Sequence, residues 1–429
     1  MKSSPMRRLL RGILLIVLLV ALAAGGYAAF HWHTANSHLR QAKAAFDRFD
    51  YETAHTEVMQ CFPYYSNDPD IVLLAARISR RADAIGDARR FLDSLEPLRN
   101  RSDKLADDIR LENLLLDAQE GKASVFSYQS LSELSKSDAT KRELILEAMF
   151  RGMYVTHRFN RALEIITEWL SSTPADPRAF YWYGLLLDKK NPHGPEAASA
   201  FAQALERNPD HMDARLALAQ LLLDSLDAGA AEPHFQYVLT LRPASVAAKI
   251  GLARCRSAAG EFHLAETQLR DVVAAEPENP LALRELGIVL MQQGKLDEAL
   301  VHLQHAGKLW PHDLSTCYNL QQAYHRLGRE TAAQQQLEKH RMLDQRLRQL
   351  RKLLYVDLQK NPNDLAVLHE LGKVALQIGG PEMEPQGLAW LQRALQIDAR
   401  HKETYALLAD YYQTKNNHEM AERCRRLAQ

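Results

Sequence analysis

Small and apolar positions in this chain recur with a period of 34 residues. In "NPLALRELGIVLMQQGKLDEALVHLQHAGKLWP", residues 279–311, Leu283, Leu286, Gly287 and Leu290 fall at helical spacing. The turn signal "QQGKLD" follows, and Ala299, Leu303 and Ala306 resume the helical spacing. The pattern predicts two helices joined by a tight turn. Gly294 is the predicted stop of the first helix, because glycine enters the left-handed region without a Cβ clash. The small residues at 287, 299 and 306 allow the two axes to approach closely. Prolines keep the same time: Pro174, Pro209, Pro243, Pro277 and Pro311 follow one another at 35, 34, 34 and 34 residues. A proline cannot donate to a continuing helix, so each is predicted to close a unit. Ala197, Ala231, Ala265, Ala299 and Ala333 are each 34 apart, and so are Ala54 and Ala88.

A single hairpin of this kind cannot bury its own apolar face, whereas stacked neighbours bury it for one another. The predicted fold is therefore all-α, a right-handed α-solenoid of about eleven helix-turn-helix repeats. Residues 36–137 form an N-terminal set whose last member, 103–137, is degenerate; 141–341 form the central array; 342–362 are a long helix extension; and 363–429 close the array. "NPHGPE" at 191–196 and "GPEMEP" at 380–385 predict lengthened turns. Residues 330–359 contain neither glycine nor proline and predict one helix of about 30 residues, roughly 45 Å long. Its Leu343, Leu347, Leu350 and Leu354 form a seam, which packs on neighbouring repeats in one reading and on a second copy in the other.

The first thirty residues have another character. Residues 1–11 carry Lys2, Arg7, Arg8 and Arg11 without an acid, and residues 12–30 carry no charge. Nineteen residues span about 28 Å as a helix, close to the hydrocarbon thickness of a bilayer. The basic flank predicts a cytoplasmic N-terminus, a transmembrane helix or signal anchor at 12–30, and repeats on the periplasmic or extracytoplasmic side. A cleaved signal peptide, with Ile13–Val20 as its apolar core and "ALA" at 21–23 as its cleavage site, stays open as the alternative.

The period, the helix pair, the small-residue slots and the closing proline resemble the tetratricopeptide repeat family, in its membrane-anchored bacterial form. "LG" stands at 286–287 and 371–372 and "YG" at 183–184; Phe201 and Phe235 hold the aromatic slot, and Ala204 and Ala306 the second small slot. The tryptophan expected early in the first helix is replaced by Phe180 and Cys317 in their units. The resemblance implies a concave groove lined by the first helix of each pair, which holds a peptide or helix of a partner protein. In this register the groove positions are Tyr181 and Leu185, Leu216 and Gln220, Ile250 and Arg254, Arg284 and Ile288, and Tyr318 and Gln322. Tyr181, Arg254, Arg284, Tyr318 and Gln322 are the candidate partner-binding residues, with the arginines expected to meet an acidic group and Tyr318 an apolar one. Family members that clamp a carboxylate place Asn four residues after Lys; no Lys-x-x-x-Asn occurs in this chain, so that ligand is not carried over. A rival surface is the long helix, with Arg346, Arg348, Arg351 and Lys352.

Charge and chemistry narrow the function by exclusion. Lys+Arg and Asp+Glu are both 53, which leaves no general basic surface for nucleic acid. Cys61, Cys255, Cys317 and Cys424 form no C-x-x-C and read as small core residues. His302 and His305 lie one turn apart without a third ligand, a weak metal signal. Phosphate-binding glycine loops and nucleophile motifs are absent from the sequence, so catalytic, cofactor and metal sites are expected to be none. The expected function is a membrane-tethered scaffold for protein–protein interaction in a bacterial-type cell envelope. The alternatives are a non-catalytic targeting or assembly subunit of an envelope enzyme, a cleaved and secreted repeat protein, and an anchored protein with cytoplasmic repeats. Members of that last type end in a cysteine-pair metal domain, whereas this chain ends in "MAERCRRLAQ".

Overall fold

The computed structural model describes residues 30–192 and 194–429. The anchor expected at 12–30 lies outside the described residues except for Phe30. Among the described residues every regular element is helical, and no helix is long and apolar enough to cross a membrane. The elements follow in pairs: α1 (30–47) and α2 (Tyr51–Tyr65), α3 (Pro69–Arg81) and α4 (Ile85–Leu95), α5 (Asp103–Gln119) and α6 (Val125–Ser137), and α7 (Arg142–Val155) and α8 (Phe159–Ser172). Next come α9 (Pro177–Lys190) and α10 (Pro195–Arg207), α11 (Met212–Asp224) and α12 (Ala228–Leu241), α13 (Val246–Ala258) and α14 (Phe262–Ala275), and α15 (Pro280–Gln292) and α16 (Leu296–Leu309). The chain continues through α17 (Leu314–Arg326), α18 (Glu330–Lys352), a π turn Leu353–Asp357 and α19 (Leu358–Lys360). It closes with α20 (Leu365–Ile378), α21 (Gly380–Ile397), α22 (Lys402–Thr414) and α23 (His418–Ala428). Eleven helix pairs are thus present among the described residues, the number the period predicts. The described chain divides into two compact units, one running to Gly152 with Asn208–Met212, the other comprising Met153–Arg207 and Asp213–Gln429.

The periodic prolines act in the turns between pairs. Pro174, Pro243, Pro277 and Pro311 each directly follow the C-cap residue of a second helix, namely Thr173, Arg242, Glu276 and Trp310. A residue before proline is pushed out of the α region, and these four caps have φ between −127° and −139°. Two residues after each proline stands the N-cap of the next helix: Asp176, Ser245, Asn279 and Asp313. Each cap side chain accepts a backbone N–H of the first turn. One proline therefore stops one helix and spaces the cap that starts the next.

Within pairs, the close approach follows from glycine. A Cβ on Gly287 would lie 2.6 Å from Leu303 Cγ, and one on Gly251 would lie 2.3 Å from the Phe235 ring. The turns inside the pairs from α11 to α18 each carry a left-handed residue: Gly260, Gly294 and Gly328 at φ +82°, +81° and +69°, and Leu226 at +66°.

Two expectations need correction. "GPEMEP" does not lengthen a turn: α20 ends at Ile378, Gly379 turns the chain at φ +75°, and α21 begins at Gly380 with the rest of the motif inside it. Pro381 occupies the first turn, where its missing N–H is not needed. The run from 330 is helical to Lys360 but is broken in register by the π turn. Of its leucine seam, Leu350 and Leu354 pack within the chain, with Leu353 and Leu358, against Leu368, Leu371, Val374 and Trp390; Leu343 is buried outside that cluster and Leu347 is half-buried.

Candidate functional site

Along the first helices α13, α15 and α17 runs a line of largely buried side chains bound together by charge. Arg254 Nη2 donates to Asp224 Oδ1 at 3.0 Å, and its Nε lies 3.8 Å from Glu285 Oε2. Arg284 donates from Nη2 to Glu285 Oε1 at 2.7 Å and from Nη1 to Asp313 Oδ2 at 3.0 Å. Asp313 also accepts from the Thr316 backbone N–H at 2.8 Å, so one carboxylate caps α17 and ties it to α15. Burial opposes the Arg284 charge, but Glu285 and Asp313 outweigh it and hold its pKa above the ordinary value. The ladder joins two arginines to three carboxylates, and Glu285 is shared between the arginines.

This arrangement places the candidate residues in different circumstances. Arg254 and Arg284 are brought together, but the acid expected from a partner is supplied by the chain itself. Tyr318 is 52% exposed on α17, with its ring 6.4 Å from His340. One turn along the same helix, Gln322 is half-buried and donates to Gln321 Oε1 at 3.0 Å. Tyr181 is remote from these four in sequence and half-buried, packed 5.4 Å from Trp182 and 6.2 Å from Phe201. Ile250, placed on the groove line by the repeat register, is 2% exposed and belongs to the core with Leu269 and Leu286. The rival basic surface on α18 is more solvated. Arg348 is 80% exposed and paired with Asp344, and Arg346 donates to the Gln377 carbonyl.

The four cysteines are buried free thiols, and burial raises the pKa of each, to about 11 for Cys61 and Cys255. Among the described residues no group of three or more His, Cys, Asp and Glu is placed to hold a metal ion.

Sequence reasoning missed the polar interior of the first unit. Arg80 and Glu112 are each 1% exposed and bond at 3.1 Å, and Arg77 reaches both Glu112 at 2.9 Å and Asp108 at 3.0 Å. Gln119 closes the set: its Oε1 accepts from Arg80 at 3.2 Å, and its Nε2 donates to the Arg80 carbonyl at 2.9 Å. Arg151, 3% exposed, pairs with Asp83, and Glu147 lies within 3.8 Å of Arg151 and 3.6 Å of Arg81. The legible signal was opposite charges about one period apart, in "ARISRR" and "DDIRLEN", on faces where the helical period demands apolar residues.

Paired helices, proline-spaced caps and glycine-mediated contacts define a helical-repeat scaffold, a class suited to protein–protein interaction. Comparison with known proteins gives the repeat type: residues 222–286 and 290–354 match a family model described as tetratricopeptide repeat, and 193–246 match another of the same description. Together these matches cover 193–286 and 290–354 of this chain. Superkiller protein 3 of Schizosaccharomyces pombe is 26% identical over 251 residues, which cover 55% of this chain; the chain spans 17% of that relative's length. Among solved structures, the human IFIT1 dimer with PPP-AAAA is 17% identical, with 84% of this chain and 91% of that chain covered at a TM-score of 0.41. PilW, described as a widely conserved type IV pilus biogenesis factor, is 21% identical, with 46% and 90% covered at 0.41. YrrB, described as a TPR protein with an unusual peptide-binding site, is 19% identical, with 43% and 95% covered at 0.36.

Proposed function

We propose that this protein is a membrane-tethered scaffold that holds a segment of a partner protein against the first helices of its central repeats. The observation that carries the binding part is Tyr318, a large ring 52% exposed on a helix whose repeat neighbours are otherwise internally paired. Exposed aromatic side chains on rigid elements are the usual anchors of protein interfaces. Because Arg254 and Arg284 are neutralised within the chain, the proposed partner segment is apolar at Tyr318 and polar at Gln322, and the acidic group first expected is not required. The tether rests on the charge-free run 12–30 behind a basic flank. Outside the cytoplasm such a scaffold serves assembly in a cell envelope. A second reading, in which the scaffold is the non-catalytic subunit of an envelope enzyme, differs only in what the partner does.

Panning a peptide library on the full chain in detergent tests the binding part. Selected peptides should lose at least about tenfold in affinity in Tyr318→Ala. Peptides that bind wild type and Tyr318→Ala equally would move the site elsewhere. Alkaline phosphatase fused after residue 429 tests the tether: an active, membrane-bound fusion is expected, and an inactive one would place the repeats in the cytoplasm. An active fusion released to the soluble fraction would mean that residues 12–30 are cleaved.

A further inference from the structure

Within the second unit, two segments about two hundred residues apart meet at α8 and the π turn. Gln359 makes the joint. Its Oε1 accepts from the Asn160 backbone N–H at 3.2 Å, and its Nε2 donates to the His157 carbonyl at 2.7 Å and the Leu354 carbonyl at 2.8 Å. Asn160 returns a bond from Nδ2 to the Gln359 carbonyl at 3.3 Å. The Phe159 and Tyr355 rings stack beside it, 5.0 Å apart and 9° from parallel, and His157 meets Trp390 edge-on at 5.5 Å. The joint borders a cleft of 310 Å³ lined by Tyr154, His157, Phe159, Lys189, Tyr355 and Gln386. The aromatic rings make its walls, while Lys189, Gln386 and the Tyr355 hydroxyl have no hydrogen-bond or ion-pair partner among the described residues.

The charge around this cleft is one-sided. Arg158, between two lining residues, has a buried Nε without an acceptor. Arg393 bonds the Pro362 carbonyl at 2.5 Å and Asn363 Oδ1 at 3.1 Å, and no carboxylate among the described residues. Burial and the nearby Arg158 both press its pKa below the ordinary value. Burial, then Lys189 and Arg393, lower the His157 pKa to about 4, so the imidazole is neutral and adds no charge. Asp188 is the acid close enough to act on Tyr154 and Tyr355. Lys189 in the lining and Arg158, Arg393 and, beside Tyr355, Arg351 close by thus outnumber that carboxylate, in a chain whose formal net charge is zero.

We propose that this cleft is a second recognition site, for an acidic segment of a partner polypeptide. A carboxylate would sit against Lys189 and Gln386, in the field of Arg158, and the adjoining aromatic or aliphatic side chain would lie on the Phe159–Tyr355 stack. The volume suits one or two side chains rather than a domain. An isolated cluster in a neutral chain gives point recognition of a carboxylate and lacks the extended basic track a nucleic acid needs. A bound segment would touch both sides of the joint, and so hold residues 153–190 to residues 353–390. The proposal rests on the protein-binding reading above but uses a different surface, so the two can fail separately.

The test is titration of the full chain in detergent with acetyl-Glu-Phe-Glu-amide, followed by tryptophan fluorescence, since Trp182 and Trp390 flank the site. Parallel arms use acetyl-Gln-Phe-Gln-amide, inorganic phosphate and oligo(A). Saturable 1:1 binding of the acidic peptide is expected, weakened at least about tenfold in Lys189→Glu and unchanged in Tyr318→Ala. Lys189 is solvent-exposed, so Lys189→Glu should unfold thermally as wild type does; Lys189→Gln, with a smaller loss of affinity, should confirm the sign. The proposal is overturned if the glutamine peptide binds as well, or if phosphate or oligo(A) binds as tightly as the acidic peptide. It is also overturned if Lys189→Glu leaves the acidic peptide's affinity intact, or if no arm saturates. Loss in Tyr318→Ala with none in Lys189→Glu would reject the cleft and leave the helix-face site standing.

Discussion

Among the first helices α3, α5 and α7, Arg77 and Arg80 join α3 to Glu112 of α5, and Arg81 joins it to Glu147 of α7, beside Arg151; most of these charges are almost fully buried. Between α13 and α17, the corresponding helices meet through Ile250, Leu286, Val289, Leu290 and Leu320, with charges gathered in a largely buried ladder beside that apolar contact. Apolar contacts are interchangeable, so the second region repeats its pattern and matches the family models. Buried ion pairs are particular to their partners. Desolvation offsets most of their attraction, and what they add is a fixed register. The first region has used that chemistry where its sequence departs from the repeat.

The sharpest way to break the comparison is to remove one charge from the buried set. Glu112→Ala strands Arg80 and is expected to cost about 3–5 kcal/mol in thermal or urea unfolding. Arg80→Met with Glu112→Leu, which makes this contact resemble the second region, should recover most of that loss. A single variant within about 1 kcal/mol of wild type would mean that the pair is solvated in solution.

Overpacking probes the apolar region instead. Ala299→Leu and Ala265→Leu place a large side chain at positions with no exposed surface, and Gly287→Ala drives a Cβ into Leu303. Each is expected to cost about 1–3 kcal/mol. Unchanged melting for all three would show that the register of close contacts is misassigned.

Acid titration separates the rim of the second region from the joint near His157. Glu266 accepts from Lys295 at 2.8 Å; this bond, against burial and with Arg270 assisting, lowers its pKa to about 2 from the ordinary 4.5. A depressed carboxylate stabilises the fold fully above pH 4.5 and loses that contribution as pH falls toward 2. Discounted for solvent, the amount is of order 1–2 kcal/mol. His157, held neutral to about pH 4 against an ordinary 6.5, loses its contribution earlier, as pH falls from 6.5 to 4. Glu266→Gln should flatten the lower window and His157→Gln the upper one, read as melting temperature against pH. Loss of both windows in either variant would contradict the assignment.

The smallest effect concerns a turn. Leu226 occupies the left-handed position that glycine holds at 260, 294 and 328, and its side chain is 92% exposed. Leu226→Gly is expected to stabilise by about 0.5–1 kcal/mol, detectable as a small rise in melting temperature. A fall would mean that the exposed leucine makes a contact in the folded protein.

How much of this was legible follows from the same contrast. The number of pairs, the turn at Gly294 and the approach at Gly287 could be read because small residues recur where backbones must meet. The proline period was read correctly, but its second role, spacing Asp176, Ser245, Asn279 and Asp313 as caps, appears only with the turn geometry. At 380–385, prolines signalled a loop, yet Pro381 falls in a first turn where it is tolerated. Among the candidate residues, Tyr318 could be placed on an exposed face from the register alone. The pairing of Arg254 with Asp224 and of Arg284 with Asp313 could not, because the partners lie near one period away on other helices. The cleft at Lys189 and Tyr355 was illegible for a stronger reason: it joins segments that no periodicity relates.

The central claim is that the exposed first-helix face around Tyr318 reads a partner protein. A photoreactive phenylalanine analogue placed at residue 318, compared with one at residue 348 on the solvated long helix, tests it in intact cells. The account predicts a discrete polypeptide crosslinked from 318, identifiable by mass spectrometry, and none from 348. A partner captured from 348 with nothing from 318 would contradict it.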